Sequence, residues 1–214
     1  SIVPNEDNDI SKELTKNLKK KGIDILTNSN IEEVKEKNNN STITIKSNNS
    51  TKTLNAEIIL SAVGITPNTQ NIGLEGLRIA LDNNRIIVDQ YYKTNIEGYY
   101  AIGDVIKGPA LAHVASAEGI ICVENIAGHN PEPIDYNNIP NCTYCSPEIA
   151  SVGYTEEKAK KAGYDLKIGK FPFSASGKAS AAGHKNGFVK VIFDAKYGEL
   201  LGCHLIGYNV TEMI

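Results

Sequence analysis

The segment Tyr99-Tyr100-Ala101-Ile102-Gly103-Asp104 constrains the fold of this chain more than any other. Its residue types predict a β-strand that ends on a Gly-Asp pair, and the residues after Pro109 predict a helix over 110–127. A strand, a short loop and a helix in this order place a carboxylate beside a helix N-terminus. Carboxylates accept hydrogen bonds from hydroxyl groups, and the N–H groups of a helix start attract phosphate or another electron-rich group. The segment therefore predicts a binding site for a ligand that carries both kinds of group.

The charge and the composition argue against several classes of function. The chain has 214 residues, a formal net charge of -3 and scattered basic residues, which do not form the footprint of a nucleic-acid-binding protein. The densest basic run, Lys19-Lys20-Lys21, is typical of a solvated helix end. No apolar run reaches the roughly 20 residues that span a bilayer. The four cysteines are few for this length and favour a reducing compartment over a disulfide scaffold.

The N-terminal part of the sequence predicts a helix followed by strands. Leu14 and Leu18 lie one turn apart in a predicted helix over 10–21, and Gly22 suits a left-handed cap. Strands are predicted at 23–26, 42–45 and 56–63, residues 31–34 continue the extended chain, and the asparagine-rich runs 38–40 and 48–50 predict turns. The strand over 56–63 is expected to be buried and to end at Gly64. A glycine there lets the backbone approach a ligand closely, and a plain turn glycine is the alternative interpretation.

The sequence after Gly128 predicts a different architecture. Several prolines in this part indicate a domain boundary near Asp135. Beyond the boundary, short strands are predicted around Ser146-Pro147-Glu148 and at 167–173, a hairpin over 188–206, and a short helix that Thr155 caps. This pattern predicts an α+β domain built on an antiparallel sheet.

Five elements of the sequence together resemble the dihydrolipoamide dehydrogenase branch of the pyridine nucleotide-disulfide oxidoreductase family. They are Ser61-Ala62-Val63-Gly64-Ile65-Thr66-Pro67-Asn68, Tyr100-Ala101-Ile102-Gly103-Asp104-Val105, Leu111-Ala112-His113 with Ala117-Glu118-Gly119, Pro147-Glu148-Ile149-Ala150-Ser151-Val152-Gly153, and Gly198-Glu199-Leu200-Leu201-Gly202. The Leu-Ala-His element with its downstream Glu-Gly favours this branch over glutathione or mercuric reductases. The resemblance covers essentially the whole chain.

The resemblance implies an α/β fold class, as part of a two-dinucleotide-domain flavoprotein with FAD/NAD(P)-binding folds and an α+β dimerisation domain. Residues 1–66 match the C-terminal part of the NAD-binding domain. Residues 67–135 match the returning segment of the FAD-binding domain, and residues 136–214 match a truncated dimerisation domain.

The same resemblance implies an enzyme that oxidises protein-bound dihydrolipoamide and passes the electrons through a redox-active disulfide to FAD and then to NAD. It implies that Asp104 binds the ribityl or adjoining phosphate region of FAD. Gly64 and Ile31 match positions near NAD. The backbone N–H groups expected beside the flavin are those of Ala110, Leu111, Ala112 and His113.

The implied partners are a second copy of the protein and a lipoyl-bearing acyltransferase. The C-terminal domain is expected to form the interface of a homodimer, and the acyltransferase is expected to belong to a 2-oxo acid dehydrogenase complex, with glycine cleavage as another setting. No metal, nucleic-acid or membrane partner is expected. The bacterial cytoplasm is the expected location, with the mitochondrion or a plastid as the alternative.

Several hallmarks of the family have no match in this sequence. In the family, the glycine-rich FAD and NAD fingerprints and the redox cysteine pair lie upstream of the position of Ser1. The catalytic histidine lies downstream of the position of Ile214. The sequence is therefore predicted to be an internal fragment that carries cofactor-binding and interface residues but none of the catalytic ones.

Two features leave other interpretations open. Cys142 and Cys145 have the C-x-x-C spacing of a redox pair or half a zinc site. On a predicted strand, however, residues three apart point to opposite faces, so the two thiols should not meet. His113 could act as a general base, although the resemblance favours a positioning role, and the other three histidines are expected to be surface or structural residues. The alternative functions are another flavin disulfide reductase, a non-catalytic dimerising scaffold and a small zinc or thiol module.

Overall fold

The computed structural model of the chain describes residues 1–37, 40–47 and 50–214. The predicted asparagine-rich turns therefore lie partly outside the described residues, at Asn38, Asn39, Asn48 and Asn49. The chain divides into two compact units. The first unit combines Ser1–Leu60 with Asn137–Ile214, and the second unit is Ser61–Tyr136. The division into 1–66, 67–135 and 136–214 remains a prediction about the complete protein.

Helices and strands are distributed over both units. The helices in the described residues are α1 Asn8–Lys20, α2 Leu74–Leu77, α3 Ala112–Ile126, α4 Glu156–Lys161 and α5 Gly177–Ala181. The strands in the same ranges are β1 Ser29–Lys37, β2 Asn40–Ser47, β3 Ser50–Ala56, β4 Leu81–Asp82, β5 Arg85–Ile86, β6 Asn141–Thr143, β7 Glu148–Gly153, β8 Leu166–Pro172, β9 Phe188–Asp194 and β10 Leu200–Gly207. A membrane-spanning helix, judged by length and apolarity, is not found among these described helices.

Helix α1 of the first unit lies close to the predicted range 10–21, and Gly22 follows it as predicted. Asp7 caps its N-terminus by accepting a hydrogen bond from the Asp9 N–H at 3.0 Å. Gly22, at φ +83°, lies just past its C-terminus in the left-handed region. The helix packs on the C-terminal sheet, and the buried residues of this shared core are Ile10, Leu14, Ile149, Phe188 and Ile206.

The C-terminal sheet of the first unit is antiparallel, with the strand order β6-β7-β10-β9-β8. Strand β10 pairs with β9 and with β7, so the predicted hairpin over 188–206 is confirmed. The Thr155 hydroxyl accepts a hydrogen bond from the Lys158 N–H at 3.2 Å, which confirms it as the cap of α4. The predicted antiparallel α+β architecture is therefore present.

A second sheet of the first unit is a three-stranded antiparallel meander, β1-β2-β3. The predicted strand at 42–45 lies within its central strand, β2. The pairing of β1 with β2 shifts register between Ile31 and Glu33. The third strand, β3, runs from the predicted turn at 48–50 to Ala56, where the sequence pattern predicted the next strand to begin.

The second unit has its own small hydrophobic core around α3. A two-stranded ribbon, β4-β5, forms its sheet. Apolar side chains from α2, from β5, from the loops and from α3 converge in this core. The buried members are Leu74, Ile79, Ile86, Tyr92, Ala101, Ile106 and Cys122.

Three predicted strands are wrong for this chain. Residues 23–26 and 57–63 form no ladder among the described residues, and 99–104 contributes a single bridge from Tyr100 to Lys93. A strand is held by hydrogen bonds to a neighbouring strand, and local sequence alone does not supply one. The side chains predicted to be buried there are exposed, with Ile58 at 86%, Leu60 at 89% and Val63 at 92%.

Candidate functional site

The Gly103-Asp104 pair lies in a short turn of 3-10 helix, Gly103–Val105, and does not end a strand. Gly103 has φ +72°, a left-handed conformation that favours glycine, and its carbonyl accepts the Ile106 N–H at 3.0 Å. A Cβ at Gly103 would lie 3.2 Å from the Ala115 Cβ. The turn therefore packs directly on α3, and Asp104 is exposed at its surface.

Helix α3 presents an uncapped N-terminus next to this turn. It begins at Ala112 rather than at the predicted residue 110, because Leu111 is extended and forms the N-cap. Pro109 precedes the helix, as predicted, and lies two residues before the N-cap. Among the residues that the structure describes, no side chain caps this helix start, and the first turn holds no acidic residue. The first N–H groups of a helix lack intrahelical acceptors, so they are available to a ligand here.

The Glu118 carboxylate links the turn to the helix. Glu118 is 1% exposed, and its Oε2 accepts a hydrogen bond from the Gly103 N–H at 2.6 Å. Its Oε1 accepts a hydrogen bond from the Tyr136 hydroxyl at 2.7 Å. A buried carboxylate requires such donors, and hydrogen bonds to a charged group are among the strongest in proteins. The turn is therefore fixed from inside the unit.

The two phenol groups behind Glu118 remain protonated donors. The hydroxyl oxygens of Tyr92 and Tyr136 are 3.3 Å apart. Desolvation raises the pKa of Tyr136, and its hydrogen bonds to Tyr92 and Glu118 raise it further. Desolvation also raises the pKa of Tyr92, which is buried. Both hydroxyls therefore keep their protons at physiological pH.

Arg85 holds the other side of the turn. Its guanidinium donates a hydrogen bond to the Ile106 carbonyl at 2.8 Å and a longer one to the Asp104 carbonyl at 3.4 Å. Both acceptors are backbone groups, so the carboxylate of Asp104 is left for other partners. The backbone of the turn is thus held on two sides. Glu118 of α3 binds the Gly103 N–H, and Arg85 of β5 binds the carbonyls of Asp104 and Ile106.

The structure brings together five of the seven predicted site residues. Asp104 is exposed near the start of α3, and so are Ala110, Ala112 and His113, while Leu111 is half-buried. The other two predicted site residues are Ile31 and Gly64. Ile31 lies on β1 of the first unit and is 58% exposed. Gly64 lies in the second unit, as Asp104 does, and is exposed at φ +119°.

The C-x-x-C pair does not form a common site. The Cys142 side chain packs with the cluster of Ala150 and Leu205, whereas Cys145 packs with the α1 core on the opposite face of the sheet. The Cys145 thiol donates to the Pro147 carbonyl at 3.0 Å. Burial raises the pKa of both thiols, which makes them poor nucleophiles at neutral pH.

The histidines are dispersed as the sequence predicts. His204 is 1% exposed, and its Nε2 lies 2.9 Å from the Tyr154 carbonyl oxygen. The ring of His184 stacks on Tyr208 with centroids 3.7 Å apart. Within the described ranges, no group of three or more His, Cys, Asp or Glu residues could hold a metal ion.

The sequence pattern missed most of the residues that hold the turn. Glu118 was part of a motif but received no role, and Tyr92, Tyr136 and Arg85 were not singled out. One signal was available for Glu118, because a carboxylate on the same helix face as Val114 and Cys122 must find a buried partner. The two tyrosines and the arginine lack such a pattern.

Comparisons with known proteins match both parts of the chain. A family model described as "Pyridine nucleotide-disulphide oxidoreductase" matches residues 1–119, and the model of its dimerisation domain matches residues 139–214. Dihydrolipoyl dehydrogenase of Rhizobium etli is 46% identical over 100% of this chain and 45% of the relative. The enzyme of that name from Zymomonas mobilis is 47% identical over 100% of this chain and 46% of the relative. The chain therefore spans about half the length of the curated relatives it matches.

Two solved structures share the fold. LpdA from Mycobacterium tuberculosis superposes with a TM-score of 0.88 at 25% identity, covering 98% of this chain and 45% of that chain. The HOCl-induced flavoprotein disulfide reductase RclA from Escherichia coli superposes with a TM-score of 0.87 at 26% identity. That match covers 100% of this chain and 48% of RclA.

Proposed function

Because the chain belongs to the pyridine nucleotide-disulphide oxidoreductase family, we propose that it is part of a longer flavoprotein that oxidises protein-bound dihydrolipoamide and reduces NAD. The observation that carries the proposal is the exposed Asp104 beside the uncapped start of α3. The named relatives at 46% and 47% identity support dihydrolipoamide as the substrate. RclA, at 26% identity, supports a different disulfide as the alternative.

The residues of this chain fit the FAD that the family implies. Arg85 donates to the backbone carbonyl of Asp104 and leaves its carboxylate for a ligand. The carboxylate would accept hydrogen bonds from the ribityl hydroxyls. The free N–H groups at Ala112 and His113 would face the pyrimidine end of the flavin. The positive end of the helix dipole favours negative charge at that end, which is where it develops on reduction. His113 is a positioning residue in this proposal.

The overall reaction balances without a catalytic residue from this chain. Dihydrolipoamide loses two electrons and two protons as its two thiols form a disulfide. NAD accepts both electrons with one proton as a hydride, and the second proton is released to solvent. Bound FAD supplies the two-electron relay between the thiols and NAD. Ile31 and Gly64 are proposed to contribute an apolar contact and a close backbone approach for NAD.

The proposed assembly is a homodimer through the region that matches the dimerisation domain, residues 139–214. We further infer that the dimer binds a lipoyl-bearing acyltransferase of a 2-oxo acid dehydrogenase complex. The bacterial cytoplasm is the proposed location, because the relatives named above are bacterial.

A paired turnover assay tests the proposed substrate. The complete protein that contains this chain is incubated with dihydrolipoamide and NAD, and NADH is followed by absorbance. A parallel reaction follows NADPH consumption with oxidised glutathione. NADH formation in the first reaction supports the proposal. Activity in the second reaction alone would replace the substrate, and silence in both would favour a non-catalytic scaffold.

Asp104→Leu should weaken FAD retention in the complete protein by about tenfold or more, because it removes the acceptors for the ligand hydroxyls. The measurement is the FAD dissociation constant of protein stripped of flavin. The control is Asp82→Leu, which changes an exposed aspartate of the same unit on β4. Equal FAD affinity in the two variants would show that Asp104 does not bind the flavin.

Cys142→Ser combined with Cys145→Ser should leave dihydrolipoamide turnover within about twofold of wild type, because the two thiols lie on opposite sheet faces and are poor nucleophiles. The measurement is kcat in the assay above, with flavin content determined in parallel. A collapse of turnover with flavin still bound would identify this pair as the redox disulfide.

A further inference from the structure

We propose that Glu118 is a positioning residue for the flavin, acting through the Gly103-Asp104 turn. The inference rests on the proposed function, because it concerns how the FAD-binding carboxylate of Asp104 is held. It goes beyond that function by naming a buried group that touches neither FAD nor substrate. The Tyr136 hydroxyl donates a hydrogen bond to the second oxygen of Glu118 and supports its position.

Both carboxylate oxygens of Glu118 accept hydrogen bonds. One oxygen accepts the Gly103 N–H at 2.6 Å, immediately before Asp104 in the chain. The other accepts the Tyr136 hydroxyl at 2.7 Å. In the part of the chain that the structure describes, neither lysine nor arginine forms an ion pair with Glu118. The carboxylate is therefore stabilised by one donor in the turn, the Gly103 N–H, and one behind it, the Tyr136 hydroxyl.

The turn fits closely on the helix. Glycines lie on both sides of this contact, where a Cβ at Gly103 would be 3.2 Å from Ala115 and one at Gly119 would be 3.2 Å from Ile102. Such contacts leave little room for the turn to shift along the helix. The Glu118 bond and this packing therefore hold the turn together on α3.

Tyr136 and Tyr92 support the Glu118 carboxylate from behind. The Tyr136 ring also lies beside Gly108, in the loop between the turn and α3, where an added Cβ would be 3.4 Å from it. Tyr92, whose hydroxyl faces that of Tyr136, is buried with a left-handed backbone at φ +68°. A bulky residue adopts that conformation only where its surroundings enforce it. The tyrosine pair thus prevents the carboxylate from rotating away from Gly103.

The test compares FAD binding among variants of the complete protein. Glu118→Leu removes both acceptors and should raise the FAD dissociation constant by about tenfold or more. Glu118→Gln should stay within about threefold of wild type, because its amide oxygen can accept from Gly103 while its NH₂ donates to the Tyr136 oxygen. Tyr136→Phe removes only the rear support and should give an intermediate value. Glu124→Gln, on the exposed face of α3, is the matched control and should bind FAD as wild type does.

A double-mutant cycle separates positioning from general destabilisation. If Glu118 acts through Asp104, then adding Glu118→Leu to Asp104→Leu should weaken FAD binding far less than Glu118→Leu does alone. Tyr136→Phe replaces Glu118→Leu in the cycle if the leucine variant does not fold. Full additivity would overturn the inference, and so would wild-type FAD affinity in Glu118→Leu. Absence of flavin from the wild-type complete protein would instead contradict the proposed function itself.

Discussion

Replacing Lys190 by methionine should lower the free energy of unfolding of the complete protein by about 3–5 kcal/mol at neutral pH, because it leaves the buried Asp7 carboxylate without its cation. The Lys190 side chain is 2% exposed on β9. Its Nζ lies 2.8 Å from Asp7 Oδ1 and 2.7 Å from Glu156 Oε2, with Asp9 Oδ2 at 3.2 Å. Methionine fills a similar volume but cannot neutralise these groups. Urea unfolding measures the loss, and hydrogen exchange of α1 shows whether the helix detaches.

The pKa shifts of Asp7 and Lys190 determine how the effect of this substitution depends on pH. Burial alone raises the pKa of Asp7, but the hydrogen bonds from Lys190 and from the Glu156 and Asp9 N–H groups outweigh it and lower the pKa. Burial alone lowers the pKa of Lys190, and its bonds to Asp7 and Glu156 outweigh that and raise it.

A lowered carboxyl pKa stabilises the fold above about pH 4, and that stability is lost as the pH falls. A raised lysine pKa stabilises the fold below about pH 10, and that stability is lost as the pH rises. The difference between wild type and Lys190→Met should therefore be widest between about pH 5 and pH 9 and should shrink on acidification.

The matched control for this prediction is Lys161→Met. Lys161 also forms an ion pair, with Glu157 at 2.6 Å, but both side chains are largely exposed on α4. The control should unfold as wild type does, because exposed pairs are screened by solvent. Indistinguishable unfolding of Lys190→Met and Lys161→Met would contradict the assignment of Lys190 as the buried centre of this cluster.

Replacing Gly187 by alanine should destabilise the protein by about 3 kcal/mol or more, because strain and a steric clash add at this position. Gly187 has φ +104°, and an added Cβ would overlap the Ile206 carbonyl of β10. The Gly187 carbonyl also accepts the Phe173 N–H at 3.0 Å, so the residue cannot move freely away. The expected result is a large drop in the thermal midpoint.

Two other glycines of the first unit separate the two contributions. Gly163 has φ +88° but open space around a Cβ, so Gly163→Ala should cost only about 1–2 kcal/mol from backbone strain. Gly177 has open space and no left-handed backbone, so Gly177→Ala should be neutral or stabilise α5 by up to about 1 kcal/mol. Equal midpoints for Gly187→Ala and Gly163→Ala would show that β10 tolerates the added methyl group.

Local sequence signals predicted the C-terminal sheet well. The hairpin over 188–206 follows from alternating apolar residues around a turn, and the cap at Thr155 follows from its hydroxyl before a helix. These features depend on neighbours within a few residues. Helix α3 begins at Ala112 rather than at the predicted residue 110, because Leu111 is extended. Proline signals define helix boundaries only within a few residues.

Local signals failed where distant segments decide the structure. Residues 56–63 have the composition of a buried strand, yet no neighbour pairs with 57–63 in the described residues. The packing of α1 on the C-terminal sheet joins Leu14 to Ile206, which the sequence separates widely. The Lys190 cluster combines Asp7 with Glu156 in the same way. Such contacts carry no local pattern.

The candidate site was predicted in part for the same reason. Asp104 and the residues before α3 are close in sequence, so the Gly-Asp and Leu-Ala-His motifs located them. The hydrogen bonds that hold the turn come from Arg85, Glu118 and Tyr136, which lie up to 33 residues from Gly103 in the sequence. Only Glu118 had a sequence signal, as a carboxylate on a buried helix face.

The most direct test of the central claim is an anaerobic titration of the complete protein with dihydrolipoamide, followed by the visible absorbance of its flavin. Dihydrolipoamide is expected to bleach the flavin band, and NAD added afterwards should restore it as NADH forms. A flavin band that dihydrolipoamide leaves unchanged, in protein whose flavin NADPH reduces, would contradict the proposed function and indicate a different disulfide substrate.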